Sequence, residues 1–135
     1  MKLRRFLFLI ILGTWYTVTA MAQQTAGMFD ISAKEARTLI SKDSGVVLID
    51  VRSPQEYNQE RIANIPLLPL QFVEKRIRDL EQYKKKKIIV YCLTGARSDL
   101  AVEILREYGF NAQNMQGGLL QWKALGYPTI SGALQ

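Results

Sequence analysis

The 135-residue chain predicts an α/β domain in three layers, with a mainly parallel central sheet and helices on both faces. Two observations carry that expectation. Val46–Ile49 and Ile88–Tyr91 are short, continuous, β-rich apolar runs, as expected for strands buried on both sides. Around them lie segments whose apolar residues recur at helical spacing, several opened by capping residues or closed by glycine. The signals alternate without repeats or a low-complexity linker, and the length suits one domain.

Residues 23–30 read as a flexible start to the mature chain, with the folded domain spanning 31–135. Ser32-Ala33-Lys34-Glu35 fits a capping box, in which the Ser oxygen and the Glu carboxylate satisfy free amides. Ala33, Ala36, Leu39 and Ile40 carry that helix to about Lys42, and Asp43-Ser44-Gly45 turns into the strand Val46–Ile49. Ser53-Pro54-Gln55-Glu56 opens a second helix, with Pro at the first helical position, ending near Gln59. Ile62–Leu70 is apolar but broken by Pro66 and Pro69, which predicts a short strand and a loop. Phe72, Val73, Ile77 and Leu80 mark a helix to about Tyr83.

The strand Ile88–Tyr91 delivers Cys92 at its C-terminal end. Leu93–Arg97 is expected as a loop, with Ser98-Asp99 opening the next helix. Leu100, Ala101, Ile104, Leu105 and Tyr108 would form that helix's inner face, and Gly109 its C-terminal cap. Phe110–Met115 holds a weakly marked last strand. Gly117-Gly118 turns into a final helix, Leu119–Leu125, stopped by Gly126 and Pro128. On this helix Trp122 is expected in the core rather than in recognition.

The first 22 residues read as a secretory leader: Lys2, Arg4 and Arg5, then apolar Phe6–Leu12, then Ala20-Met21-Ala22 before Gln23. The apolar run falls short of the roughly 20 residues a spanning helix needs, so export, most simply to a periplasm, is expected over anchoring. Without the leader, 15 Lys and Arg face 12 Asp and Glu, an ordinary balance that does not argue for nucleic acid. Lys84–Lys87 is the one basic cluster, read as a solvated turn ahead of a strand, with anion steering as the other reading. One cysteine excludes an intramolecular disulfide. The absence of histidine removes Ser-His-Asp and Cys-His arrangements and the usual zinc ligand sets.

In open parallel sheets, ligands bind beyond the carboxyl ends of the strands, where Asp50-Val51-Arg52 and Cys92 both fall. Cys92-Leu93-Thr94-Gly95-Ala96-Arg97-Ser98 places a thiol at a strand end, followed by a short loop and a helix start. Such a loop can curl around its own sulfur and turn its amides inward on an anion. Gly95 permits a dihedral that a side chain would obstruct, and Arg97 adds a permanent cation. Together these favour thiolate over thiol, so the nucleophile needs no general base. The plainer alternatives are a small core cysteine at position 92 and a surface residue at position 97.

Three segments resemble the rhodanese family: Leu48–Tyr57, the loop Cys92–Ser98, and Gln116–Pro128, matching in order and spacing from about Ile31 to Pro128. The resemblance implies a rhodanese-like fold and a persulfide on Cys92, formed from thiosulfate or a similar anionic donor and passed to a thiol or cyanide. It implies that the amides of Leu93, Thr94, Gly95, Ala96, Arg97 and Ser98 hold the persulfide, and that Arg97 orients the donor. The six residues from Cys92 to Arg97 suit sulfur transfer; the longer loop of related phosphatases suits phosphate. Asp50, Arg52 and Glu56 are expected as structural residues near the site, with Arg52 and Glu56 forming an internal ion pair. The family pattern after Tyr57 is shortened here by three residues, and Arg61 stands where a histidine is usual, which would add charge at the rim. No cofactor or metal is implied, nor a lasting membrane association once the leader is gone; the oligomeric state stays open. A persulfide carrier or partner-binding module without turnover is the alternative function, and a phosphatase-like activity a third.

Overall fold

The computed structural model describes residues 27–133; the expected leader and its cleavage site lie outside the described residues. The elements are β1 (Asp30–Ser32), α1 (Ala33–Lys42), β2 (Val47–Asp50), α2 (Pro54–Gln59), β3 (Lys87–Tyr91), α3 (Ala96–Glu107), β4 (Asn111–Gln116) and α4 (Gly118–Ala124). Two 3-10 segments, Leu70–Phe72 and Ile77–Tyr83, join α2 to β3. The four strands pair in the order β1-β4-β3-β2, and every pairing is parallel.

Successive residues of β3 feed opposite faces, as the period of a strand requires. Ile88, Val90 and the adjoining Cys92 pack with Ala101, Val102 and Leu105 of α3 and with Val73 and Leu80. Ile89 and Tyr91 pack on the other side with Ala36 of α1 and Leu119 and Trp122 of α4. The expected three-layer α/β architecture is therefore the observed one. Trp122 is fully buried, its indole N–H donating to Pro128 O at 2.9 Å.

Both capping boxes form. Ser32 Oγ accepts from the Glu35 amide at 3.1 Å, and Ser53 Oγ from the Glu56 amide at 3.2 Å. Four expectations need correction. Asp30 is no flexible lead-in: β1 pairs with the end of β4, an edge strand of three residues that carries no periodicity of its own. No strand forms over Ile62–Leu70. Pro66 and Pro69 lack donors, and the segment only borders the end of β2, with Leu68 N–H donating to Asp50 O and Leu70 N–H to Val51 O.

The helix expected over Phe72–Tyr83 is two 3-10 pieces. Val73 caps the first piece, and Ile77 and Leu80 recur at the step of three that the tighter helix brings onto one face, while Phe72 is exposed. Finally, α3 begins at Ala96, two residues earlier than expected. Its buried stripe is Ser98, Ala101, Val102 and Leu105, so Leu100 and Tyr108 face outward.

Candidate active site

The carboxyl ends of β2 and β3 meet side by side, with Asp50 opposite Tyr91 in the register. Cys92 follows at once and is 1% exposed, with its apolar flank in the core. On the other flank the chain wraps the sulfur: Gly95 N–H donates to Sγ at 3.1 Å, and the Ser98 hydroxyl lies 3.4 Å from it. Burial pushes the thiol up, yet the Ser98 hydroxyl and the amides of Ser98, Gly95 and Thr94 outweigh it, and the net shift is downward.

Gly95 supplies the bend. Its φ is +104°, left-handed backbone that side chains rarely adopt, and it serves as the N-cap of α3. This is why Arg97 and Ser98 stand in the first helical turn rather than in the loop, with Ser98 turned inward. The outer side of the loop is pinned by α4, whose Leu119 N–H donates to Cys92 O at 2.9 Å and Leu120 N–H to Leu93 O at 3.1 Å. With those carbonyls held outward, the amides that follow are left to face the sulfur.

The expected Arg52–Glu56 pair does not form. Arg52 instead donates to Asp50, with Nε at 3.0 Å from Oδ1 and NH2 at 2.7 Å from Oδ2, and reaches Glu60 O at 2.7 Å. It still ties the strand end to the end of α2, through a backbone oxygen. Glu56 belongs to Arg97: NH1 donates to Oε2 at 2.8 Å and NH2 to Oε1 at 2.7 Å, across 41 residues of sequence. Arg61 is buried rather than at the rim, its guanidinium donating to Asn64 Oδ1, Tyr57 O and Gly132 O.

The two hydrogen bonds from Arg97, together with the Ser53 amide and hydroxyl, outweigh burial and hold the Glu56 carboxyl at about 2. The folded value lies below the 4.5 of an ordinary glutamate, so the unfolded chain binds more protons in between. The stabilisation is therefore complete above about pH 4.5 and is lost as pH falls through about 2. Glu56→Gln is expected to lower the thermal midpoint at pH 7 and to flatten its fall over that window in melts from pH 7 to pH 2. A variant with an unchanged acid limb would show that the pair contributes nothing.

Sequence reasoning did not place Asn114, Asp30 or Gly118 at the site. Asn114 is 3% exposed in β4, where its oxygen lies 2.6 Å from Ser98 Oγ. A polar residue inside a strand expected to be covered on both sides was the available signal. A cleft of about 360 Å³ borders the loop here, between Asp30, Thr94, Gly95, Asp99 and Asn114. Burial, and then the charge of Asp30, push the Asp99 carboxyl up.

A parallel α/β sheet with a cysteine loop at its carboxyl edge defines the class, and comparison with known proteins agrees. The rhodanese-like domain matches residues 32–125, and the chain belongs to that family of sulfurtransferases. The thiosulfate sulfurtransferase PspE of Escherichia coli is 37% identical over 84 residues, covering 62% of this chain and 78% of PspE. An uncharacterized protein of Synechocystis sp. is 35% identical over 111 residues, covering 82% of this chain, which spans 60% of that protein's length. The crystal structure of a rhodanese-related protein from Thermoplasma volcanium superposes with a TM-score of 0.68 at 33% identity, covering 75% of this chain and 96% of the other.

Proposed function

We propose that this sulfurtransferase works through a persulfide on Cys92, taking sulfane sulfur from thiosulfate or a similar anion and passing it to a thiol or cyanide. The observation that carries the reading is the sulfur's surroundings: a Gly95 amide at 3.1 Å and a Ser98 hydroxyl at 3.4 Å, both donors to an anion. In the first step the Cys92 thiolate attacks the outer sulfur of thiosulfate. The S–S bond of the donor breaks, and sulfite leaves with the electron pair. The negative charge then sits on the outer sulfur of the new persulfide, within reach of the amides of Leu93–Ser98. In the second step an acceptor thiolate or cyanide attacks that outer sulfur and returns Cys92 as thiolate. No oxidant is consumed.

Arg97 is the residue that orients the anionic donor. Its two contacts to Glu56 use two of five N–H donors, and its side chain is 39% exposed at the rim. The leader reading of residues 1–22 extends the proposal to an exported enzyme, supported by the order of its basic, apolar and small residues. Among the described residues no helix is long and apolar enough to cross a membrane.

Incubation with thiosulfate is expected to add the mass of one sulfur atom to Cys92, and addition of cyanide to remove it with continued release of sulfite. Cys92→Ser should do neither. Sulfite release at equal rates from both proteins would eliminate the reading; a persulfide that forms but is never passed on would mark a carrier.

A further inference from the structure

The hydroxyl of Ser98 faces more acceptors than it has protons. It has one proton to give and lies 2.6 Å from Asn114 Oδ1, 3.1 Å from Gly95 O and 3.4 Å from Cys92 Sγ. Which acceptor receives that proton bears directly on the charge the sulfur can hold.

The orientation of Asn114 is settled from its far side. Asp30 and Asn114 are register partners across β1 and β4, and Asn114 Nδ2 donates to Asp30 Oδ1 at 2.8 Å. An ionised carboxylate only accepts, so the amide's NH2 must face Asp30 and its oxygen must face Ser98. Two oxygens 2.6 Å apart repel unless a proton lies between them. With sulfur protonated, every demand is met: S–H is directed to Ser98 Oγ, and Ser98 O–H to Asn114. With sulfur ionised, the Ser98 proton must turn toward Sγ and leave two oxygens face to face.

We infer that Asn114, anchored by Asp30, is a positioning residue that competes with Cys92 for the single Ser98 proton and so limits how firmly charge is held on the inner sulfur. On the persulfide reading proposed above, the charge moves to the outer sulfur once the persulfide forms. Sγ then becomes neutral, and the Ser98 proton returns to Asn114. The chain Asp30–Asn114–Ser98 thus favours the loaded state over the free thiolate, because only the thiolate draws the Ser98 proton away from Asn114 and sets two oxygens against each other.

The test is the titration of Cys92, followed by alkylation rate against pH and by thiolate absorbance, in Asn114→Leu, Ser98→Ala and the double variant. Freeing one hydrogen bond for the sulfur should lower the midpoint by roughly half a unit to one unit in Asn114→Leu. Alkylation well below the midpoint should then quicken about three- to tenfold. Ser98→Ala should raise the midpoint, and adding Asn114→Leu to it should have little further effect, because Asn114 acts through Ser98.

A midpoint that rises or stays put in Asn114→Leu, or falls equally with and without Ser98, overturns the inference. Should Asn114→Leu, a buried substitution, prevent folding, Asp30→Ala at the sheet edge, which removes the acceptor for the Asn114 amide, replaces it. Its lost charge lowers the midpoint in both backgrounds, but release of the Asn114 amide adds to the shift only when Ser98 is present; equal shifts overturn the inference. Alkylation needs no sulfur donor, so failure of this device and failure of the persulfide function register separately.

Discussion

Asp50→Asn is expected to destabilise the domain by about 3–5 kcal/mol, a large share of the roughly 5–15 kcal/mol that holds a small domain folded. Asp50 is fully buried and Arg52 is 3% exposed. The carboxylate accepts the Arg52 amide at 2.9 Å as well as the guanidinium, and the cation lies 5.5 Å from the Tyr91 ring centre. Removing the negative partner leaves a guanidinium in a low-dielectric interior with one backbone carbonyl, Glu60 O, among its remaining contacts. Arg52→Met leaves the carboxylate equally stranded and should cost a similar amount.

The double variant Asp50→Asn/Arg52→Met should recover much of the loss, since no uncompensated charge remains. Denaturant midpoints of the four proteins measure this directly. Additive losses would show that each residue acts alone. Tyr91 belongs to the same cluster: its phenol is held neutral, first by burial and then by the charge of Asp50, and its oxygen accepts the Ile62 amide at 3.3 Å.

The second large effect is at Gly118. Its φ is +56°, and a Cβ there would lie 2.5 Å from Cys92 O and 2.6 Å from Leu93 C and O. These are backbone atoms, so the clash cannot be relieved by turning a side chain. Gly118→Ala must push α4 away from the loop and break the Leu119 and Leu120 hydrogen bonds that hold the loop carbonyls outward. Displacement of the sulfur's amides by an ångström should reduce sulfur transfer by about a hundredfold.

Gly126→Ala is the matched control. Its φ is +75°, but a Cβ there meets nothing within 4 Å, so it carries only the backbone penalty of about 1–2 kcal/mol. Comparable activity losses in the two variants would show that strain, not the close approach of α4 to the loop, governs the site.

What could be read ahead of the structure was local. The capping boxes at Ser32–Glu35 and Ser53–Glu56 join residues three apart, and the chain need not fold for the pattern to be visible. The buried runs of β2 and β3 announced strands within a residue of their observed ends, and so placed Cys92 at a carboxyl edge. Elements whose existence depends on a distant partner were not visible. β1 is too short to have a period, and the start of α3 rests on a left-handed Gly95 that no pattern of hydrophobic residues reveals.

The amino-acid sequence by itself determined the layer architecture, the helix starts at residues 33 and 54, and the cysteine at the carboxyl end of a buried strand. Which charge pairs with which was decided only by the tertiary structure. Arg52 turned back to Asp50, two residues away at the end of β2, and Arg97 of α3 took Glu56 of α2 across 41 residues, because a guanidinium goes to the carboxylate that geometry brings within about 3 Å. The donors around Cys92 were decided the same way: Ser98 turns inward, and Asn114 and α4 close on the loop, because the sheet order sets β4 beside β3.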